Sequence, residues 1–373
     1  MKAFEEIIKK PDIKGPLLIL VLILLATLGA QYVTASRFFL QDRTPANEEW
    51  TESTELVSLW TSNGNISQDE DRIIGNYSVE SSASNVANIS LKIGDIGPFS
   101  FSGDTGFEGV SFRIKWIHEN ATFPSSNATL QLLSSDESSY FQLDLVDLLK
   151  PSNQWANLSV VAGSENSGWT SVGSPDWESI TGLSLLLHWT AEDSADLKLG
   201  IDDLYIFKHV SFVESDSFGN LLMPSLIGEA VFFFINWVVY AGILLLTVKL
   251  FQEKSGPWQP FLIIIGHVFI ANVIYILASA VLLATLPILK LPMQTWPPET
   301  AEELYALQVI IQDNWYPALT YQLGALLPYI VDGWIGLLLA VVIRSLCDTS
   351  WKKAVAIAIV AAVLSFFVRT LFI

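Results

Sequence analysis

The sequence predicts a multi-domain membrane protein in which an all-β sandwich ectodomain is held within an all-α bundle of five transmembrane helices. Three observations carry that reading. The chain of 373 residues is 51% hydrophobic and only 16% charged, with mean hydropathy +0.43, and such a composition points to several lipid-buried segments. Charge is segregated: residues 37–225 hold 9 basic and 27 acidic side chains, while the remainder is neutral overall. Within the acidic block, apolar residues alternate with polar ones instead of forming long runs, as in half-buried strands.

A spanning helix needs about 20 mostly apolar residues to cross about 30 Å of hydrocarbon. Five segments meet that condition, at about 16–35, 226–251, 260–288, 329–347 and 354–373. Their flanking cations set the orientation. Lys2, Lys9, Lys10 and Lys14 precede the first span, Lys249 and Lys254 lie between the second and third, and Arg344, Lys352 and Lys353 lie between the fourth and fifth. The N-terminus is therefore expected in the cytoplasm of a multi-pass cell-membrane protein. The chain then divides into residues 1–36 (cytoplasmic N-terminus and first helix), an extracytoplasmic domain at 37–222, and helices two to five at 223–373. Val33-Thr34-Ala35 has the small residues of a signal-peptide cleavage site, but the preceding apolar run is longer than a signal core, so an uncleaved anchor is expected.

Six N-glycosylation acceptors, at Asn65, Asn76, Asn88, Asn120, Asn127 and Asn157, all fall in the acidic block. The single cysteine excludes a disulfide framework, and the excess of acidic residues excludes nucleic acid as a partner. An acidic, cysteine-free, acceptor-rich domain suggests an archaeal-type cell surface.

The alternation is plainest at Val110, Phe112, Ile114 and Trp116, at Phe141, Leu143 and Leu145, and at Leu183, Leu185, Leu187 and Trp189. Eight to ten such strands separated by Gly, Ser, Asn and Pro clusters imply two packed antiparallel sheets. The last strand slips phase: Leu197, Leu199 and Ile201 set one face, and Leu204 and Ile206 continue on the other. Asp202-Asp203 sits at the slip. Either the strand bulges there with solvated carboxylates at the sheet rim, or one Asp turns inward and takes a partner such as a structural Ca²⁺.

Several segments resemble landmarks of carbohydrate-binding-module-like jelly rolls: Asp71-Arg72-Ile73-Ile74-Gly75-Asn76-Tyr77, Trp155 before a strand, Pro175-Asp176-Trp177 and Gly200-Ile201-Asp202-Asp203-Leu204. That resemblance covers about residues 50–210. It implies a calcium near the last strand, which fits Asp202 and Asp203 as metal ligands, and sugar rings stacked on exposed aromatics, for which Trp169 and Trp177 are the candidates. The competing reading packs both tryptophans on the sandwich edge.

The helices resemble the Ypt-interacting-protein (Yip) family of five-helix membrane proteins. Ile7-Ile8-Lys9-Lys10-Pro11 before the first span carries the likeness, as do Trp334-Ile335-Gly336 in the fourth and Trp351-Lys352-Lys353 at the fifth. It implies a role in membrane trafficking or organisation and brings no catalytic set. Ser350, Ala354, Ala358 and Ala362 form a small-residue stripe for close helix packing. Polar residues within spans are Asn236, His267, Asn272 and Asp332, the last expected near the outer interface. Between the third and fourth spans, Thr300-Ala301-Glu302-Glu303 opens a helical pattern continued by Leu304, Leu307, Ile310 and Ile311, an amphipathic helix expected on the outer interface or under the sandwich.

No phosphate-cradling loop, zinc-protease motif, nucleophile elbow or CxxC pair occurs, so the expectation is a non-catalytic protein. Two functions fit. In one, the ectodomain binds a surface glycan, glycoprotein or protein while the helices hold it in the lipid bilayer. In the other, the helix bundle acts in membrane organisation, assembly or transport, within a membrane protein complex or homo-oligomer, and the sandwich is a subunit contact.

Overall fold

A computed structural model of the chain describes residues 12–44, 55–103, 105–119, 127–134, 136–251, 258–294, 296–298 and 300–372. It contains two compact units, one formed by residues 41–209 and the other by residues 1–40 with 210–373.

The first unit is a two-sheet, jelly-roll-like sandwich. One sheet holds β3 (Asn65–Asp69), β4 (Ser78–Val86), β12 (Ala195–Ser211), β6 (Gly109–His118) and β9 (Ala156–Val161) in that order, with β1 (Phe38–Thr44) also beside β12. The other runs β2 (Trp60–Ser62), β5 (Asn88–Ile93), β11 (Ile180–His188), β7 (Asn127–Ser134), β8 (Asp136–Asp144) and β10 (Thr170–Val172). Period-two alternation does the work here, because it puts one side of each strand on the interface between sheets. Val110, Phe112, Ile114 and Trp116 of β6 meet Leu183, Leu185 and Leu187 of β11 in one core, each at most 2% exposed. Trp116 packs against Trp189, ring centroids 5.8 Å apart, and its indole N–H donates to the Lys150 carbonyl at 2.8 Å. His118 is buried in the same core with Nε2 3.0 Å from the Asp193 carbonyl oxygen.

The phase slip of the last strand is a β-bulge. The register of β12 against β6 shifts between Asp202 and Tyr205, and Asp203 adopts φ +50°. One extra residue flips the alternation, so Ile201 and Leu204, on opposite phases, are both fully buried.

The second unit is helical. Its elements are α1 (Lys14–Ala35), α2 (Asp216–Leu250), α3 (Trp258–Val268), α4 (Ile270–Ala284), α5 (Ala301–Asn314), α6 (Leu319–Cys347) and α7 (Trp351–Phe372). Among the described residues, four stretches, 14–35, 217–250, 258–284 and 319–347, are long and apolar enough to cross a membrane. Six apolar helices stand where the sequence predicts five spans, because the third is divided at Phe269. There the Asn272 N–H takes the Phe269 carbonyl in a tightened turn. Two other boundaries differ from the expectation. Helix α2 begins at Asp216 and runs through Pro224, and α6 begins at Leu319 and runs through Pro328. The earlier start of α6 puts Asp332 at its middle, well away from its N-terminal end, where the sequence reading places it.

Side chains of α1, α2, α3, α6 and α7 share a core built on Ile23, Ala241, Phe261, Leu339 and Ile357. Ala354 and Ala358 of the small-residue stripe are buried in it, and Ala361 joins them. Two of the polar groups expected in the spans are satisfied within their own helices. Asn236 donates to the Phe232 carbonyl, and His267 Nδ1 lies 2.8 Å from the Ile263 carbonyl oxygen.

A smaller cluster gathers Phe38, Leu40, Phe212, Leu307 and Trp315 with β13 (Leu289–Leu291), whose residues pair in parallel with Phe38–Leu40. Helix α5 is opened by a capping box. The Thr300 hydroxyl accepts the Glu303 N–H at 3.1 Å, and the Glu303 carboxylate accepts the Thr300 N–H at 3.2 Å. Of its predicted apolar face Leu307 is buried, whereas Leu304 is 48% exposed.

Candidate functional site: the outer faces of the two sheets

Outward side chains of the first sheet are covered by the segment between β3 and β4. Asp202, which points out of the sheet and is 3% exposed, accepts the N–H groups of Ile73 and Ile74 on Oδ2 at 2.6 and 3.0 Å, and that of Asp203 on Oδ1 at 2.8 Å. Asp71 of the same segment pairs with buried Lys115 and accepts the Trp155 indole N–H at 3.1 Å. These hydrogen bonds hold the Asp71 carboxyl below its ordinary range, that of Lys115 first and that of Trp155 second. The Trp155 ring lies over Gly200, where a Cβ would stand 3.4 Å from its edge. This segment therefore closes over the sheet with Ile73 and Ile74 exposed on its outside.

Asp203, 7% exposed, turns toward Arg113 of β6, whose Nε is 3.5 Å from its Oδ2. An arginine from the neighbouring strand thus partners Asp203, and backbone N–H groups serve Asp202. No cluster of three or more His, Cys, Asp or Glu side chains suited to a metal occurs among the described residues. Burial pushes the Asp203 carboxyl above its ordinary range, against the pull of Arg43 and Arg113. The folded state then holds this proton to higher pH than the unfolded chain. Its contribution to stability is greatest where Asp203 is protonated in both states and falls as pH rises from the ordinary carboxylate pKa to the raised native one. Asp203→Asn is expected to flatten that part of the dependence of melting temperature on pH while keeping the fold, since asparagine tolerates φ +50°. Thermal melts from pH 3.5 to 8 check this; unchanged slopes would count against it.

Trp169 and Trp177 come together at the sandwich edge. Their rings meet edge-on at 5.6 Å, Trp177 stacks on Phe141 at 3.7 Å, and the Trp169 indole N–H donates to the Val161 carbonyl at 2.8 Å. Both are half-buried against the core. Trp177 has one ring face occupied by Phe141.

The outer face of the second sheet is partly covered: Thr61 and Thr170 at its edges are exposed, Lys92, Gln131 and Gln142 are half-buried, and Ser184 is 8% exposed. Register lines up Thr61, Lys92, Ser184, Gln131, Gln142 and Thr170 across its six strands. Two pairs along, Tyr140 of β8 stands opposite Leu133 of β7. Gln131 and Gln142 are half-buried. A primary amide offers two donors and an acceptor, so two adjacent amides on a rigid sheet present an ordered set of hydrogen-bonding groups to solvent. Sequence alternation marks these positions as outward but cannot align them across strands.

Among the predicted glycosylation acceptors, Asn65, Asn76, Asn88, Asn127 and Asn157 are exposed. Asn88 and Asn127 flank His188 at one end of the second sheet. Asn120 lies outside the described residues.

Neither a protein-family model nor a curated protein matches the chain. Solved structures similar to part of it include the family 30 carbohydrate-binding module of a cellulosomal cellulase from Clostridium thermocellum, at 10% identity and TM-score 0.29, covering 40% of this chain and 90% of that one. The family 11 carbohydrate-binding module from the same organism, in complex with a mixed-linked tetrasaccharide, matches at 11% identity and TM-score 0.27, covering 40% and 88%. A β-1,2-glucanase from Parabacteroides distasonis matches at 13% identity and TM-score 0.29, with 40% of this chain spanning 22% of that one.

Proposed function

We propose that the protein is a non-catalytic multi-pass membrane protein that binds a hydroxyl-rich glycan, or the glycan of a glycoprotein, on the outer face of its second sheet. The observation that carries this is the in-register row Lys92, Ser184, Gln131 and Gln142. Sugars present vicinal hydroxyls that both donate and accept, and paired amides on a preorganised surface meet them at low entropic cost. The acidic balance of the domain disfavours phosphate-bearing partners. Four long apolar helices and the basic residues at their ends support a membrane anchor with its N-terminus in the cytoplasm. The exposed acceptor asparagines support an extracytoplasmic sandwich.

A second reading, action in membrane organisation through the helices, is favoured by a cavity of about 310 Å³ between α4 and α6, lined by Tyr275, Ser279, Tyr321, Gly324 and Pro328 among others. The test that separates the two is a glycan array probed with the full chain in lipid nanodiscs. Binding of at least one glycan class is expected, weakened tenfold or more in Gln131→Ala/Gln142→Ala with an unchanged melting temperature. A chain that binds no glycan, or a double variant that binds as well as the parent, overturns the proposal.

A further inference from the structure

The cavity between α4 and α6, about 310 Å³, falls at the lower end of the roughly 300–1,000 Å³ of small-molecule sites. Its lining runs from Tyr275 to Leu286 on α4 and from Thr320 to Pro328 on α6. At 1.5 Å per residue those walls are about 17 and 12 Å long, so the volume is drawn out into a slot. Gly324 and Ala325 make room for it on α6, and no atom lies within 4 Å of where a Cβ of Gly324 would stand. Leu286, 2% exposed, closes one end, and Ala325 and Pro328 are exposed on the wall, which marks the side on which the slot opens. Both helices belong to stretches apolar enough to cross a membrane. Under the membrane reading proposed above, on which this inference rests, the medium at that opening is lipid.

The slot is apolar except for hydroxyls, and those of Tyr275, Ser279 and Thr320 have no hydrogen-bond partner among the described residues. Tyr275 and Ser279 are four residues apart and so share one face of α4. Hydroxyls in other spanning stretches are satisfied by their own helix: Thr34 and Thr247 donate to the carbonyls four residues back at 2.8 and 2.7 Å. Ser279, equally within a helix, forgoes that bond. Lipid chains offer neither donor nor acceptor, so a hydroxyl left unpaired among them is costly.

We propose that the slot holds a neutral lipid with one extended chain and a hydroxyl head, the head hydrogen-bonded to Tyr275 and Ser279 and the chain lying along Gly324 and Ala325. Charge and size select this occupant. None of the described lining residues is charged, so an ionised carboxylate, phosphate or amine would enter without a counter-charge. A helix from another protein, about 10 Å across, is too wide for a slot of this volume. A plain hydrocarbon fills the space but leaves both hydroxyls unmet. An alcohol answers both, because its hydroxyl donates to one oxygen and accepts from the other.

The test is photolabelling of the full chain in phosphatidylcholine nanodiscs with diazirine-bearing hexadecanol, hexadecane, palmitate and hexadecylamine, the labelled peptides being mapped by mass spectrometry. The alcohol is expected to label residues 275–286 and 320–328 saturably, about threefold to tenfold more than the other probes, the factor a hydrogen bond in lipid supplies. Unlabelled hexadecanol should compete it away. Tyr275→Phe/Ser279→Ala keeps the shape of the slot and should lower alcohol labelling to the level of the alkane. Gly324→Leu/Ala325→Leu should fill the slot and abolish labelling. Labelling that does not saturate, equal labelling by the alkane, stronger labelling by either charged probe, or a Tyr275→Phe/Ser279→Ala variant labelled like the parent overturns the inference. Alkaline carbonate treatment separates the two levels: a chain it extracts refutes the membrane reading itself, and a chain it leaves behind without saturable labelling refutes only the lipid site.

Discussion

Alanine at Trp116 is expected to cost the sandwich about 3–5 kcal/mol, the range for deleting a large buried aromatic. Trp116 is 1% exposed, spans the core to Trp189, and its N–H serves the Lys150 carbonyl. Ordinary domains are stable by only about 5–15 kcal/mol, so much of the total goes with one side chain. Calorimetry of the chain in micelles should show the sandwich transition about 10 °C lower. Trp116→Phe retains most of the ring contact and loses the hydrogen bond, so its shift should be a fraction of that. A full-sized shift for phenylalanine would mean that the indole N–H matters more than the packing.

Asp202→Ala is the second large effect. It removes the acceptor of three backbone N–H groups and strands those of Ile73 and Ile74 under the segment they anchor. Hydrogen bonds to charged groups contribute about 1.5–3 kcal/mol each and are not additive; a loss of about 3 kcal/mol is expected. Limited proteolysis should show it locally, as new cleavage within residues 70–77. Asp202→Asn provides the sharper check, since an amide that keeps its oxygen on Ile73 and Ile74 must turn its NH₂ toward the Asp203 N–H. The asparagine variant should therefore recover only part of the loss. Equal stability of the aspartate and asparagine forms would show that the second oxygen contributes nothing.

Much of this architecture is legible in the sequence wherever a local rule decides it. Alternation names the inward side of β6 and β11, the phase break at Asp202-Asp203 becomes the bulge, and Thr300 and Glu303 become a capping box. What sequence reading misses is held by pairing between distant strands. Arg113 reaches Asp203 across 90 positions, and nothing in either neighbourhood announces the other. The same holds for Lys115, Asp71 and Trp155 above Gly200, and for the amide row, whose members are ordinary polar alternates until β-sheet register lines them up. The mid-helix position of Asp332 is missed for another reason. Thr320, Gln322, Gly324 and Pro328 dilute the hydropathy of the first turns of α6, so a hydropathy reading starts the helix ten residues late although the backbone is already helical.

If the amide row is the recognition surface proposed above, it also constrains how that recognition can diversify among descendants of this chain. Gln131 lies between Leu130 and Leu132, which are no more than 1% exposed, and Gln142 lies between core residues Phe141 and Leu143. Inserting or deleting one codon within β7 or β8 would exchange the amides with the leucines and empty the core. Drift on this face is thus confined to one-for-one replacements at alternate positions, and length variation is left to the connecting segments. Lineages that change ligand should carry their differences as point substitutions every second residue, over strands of constant length.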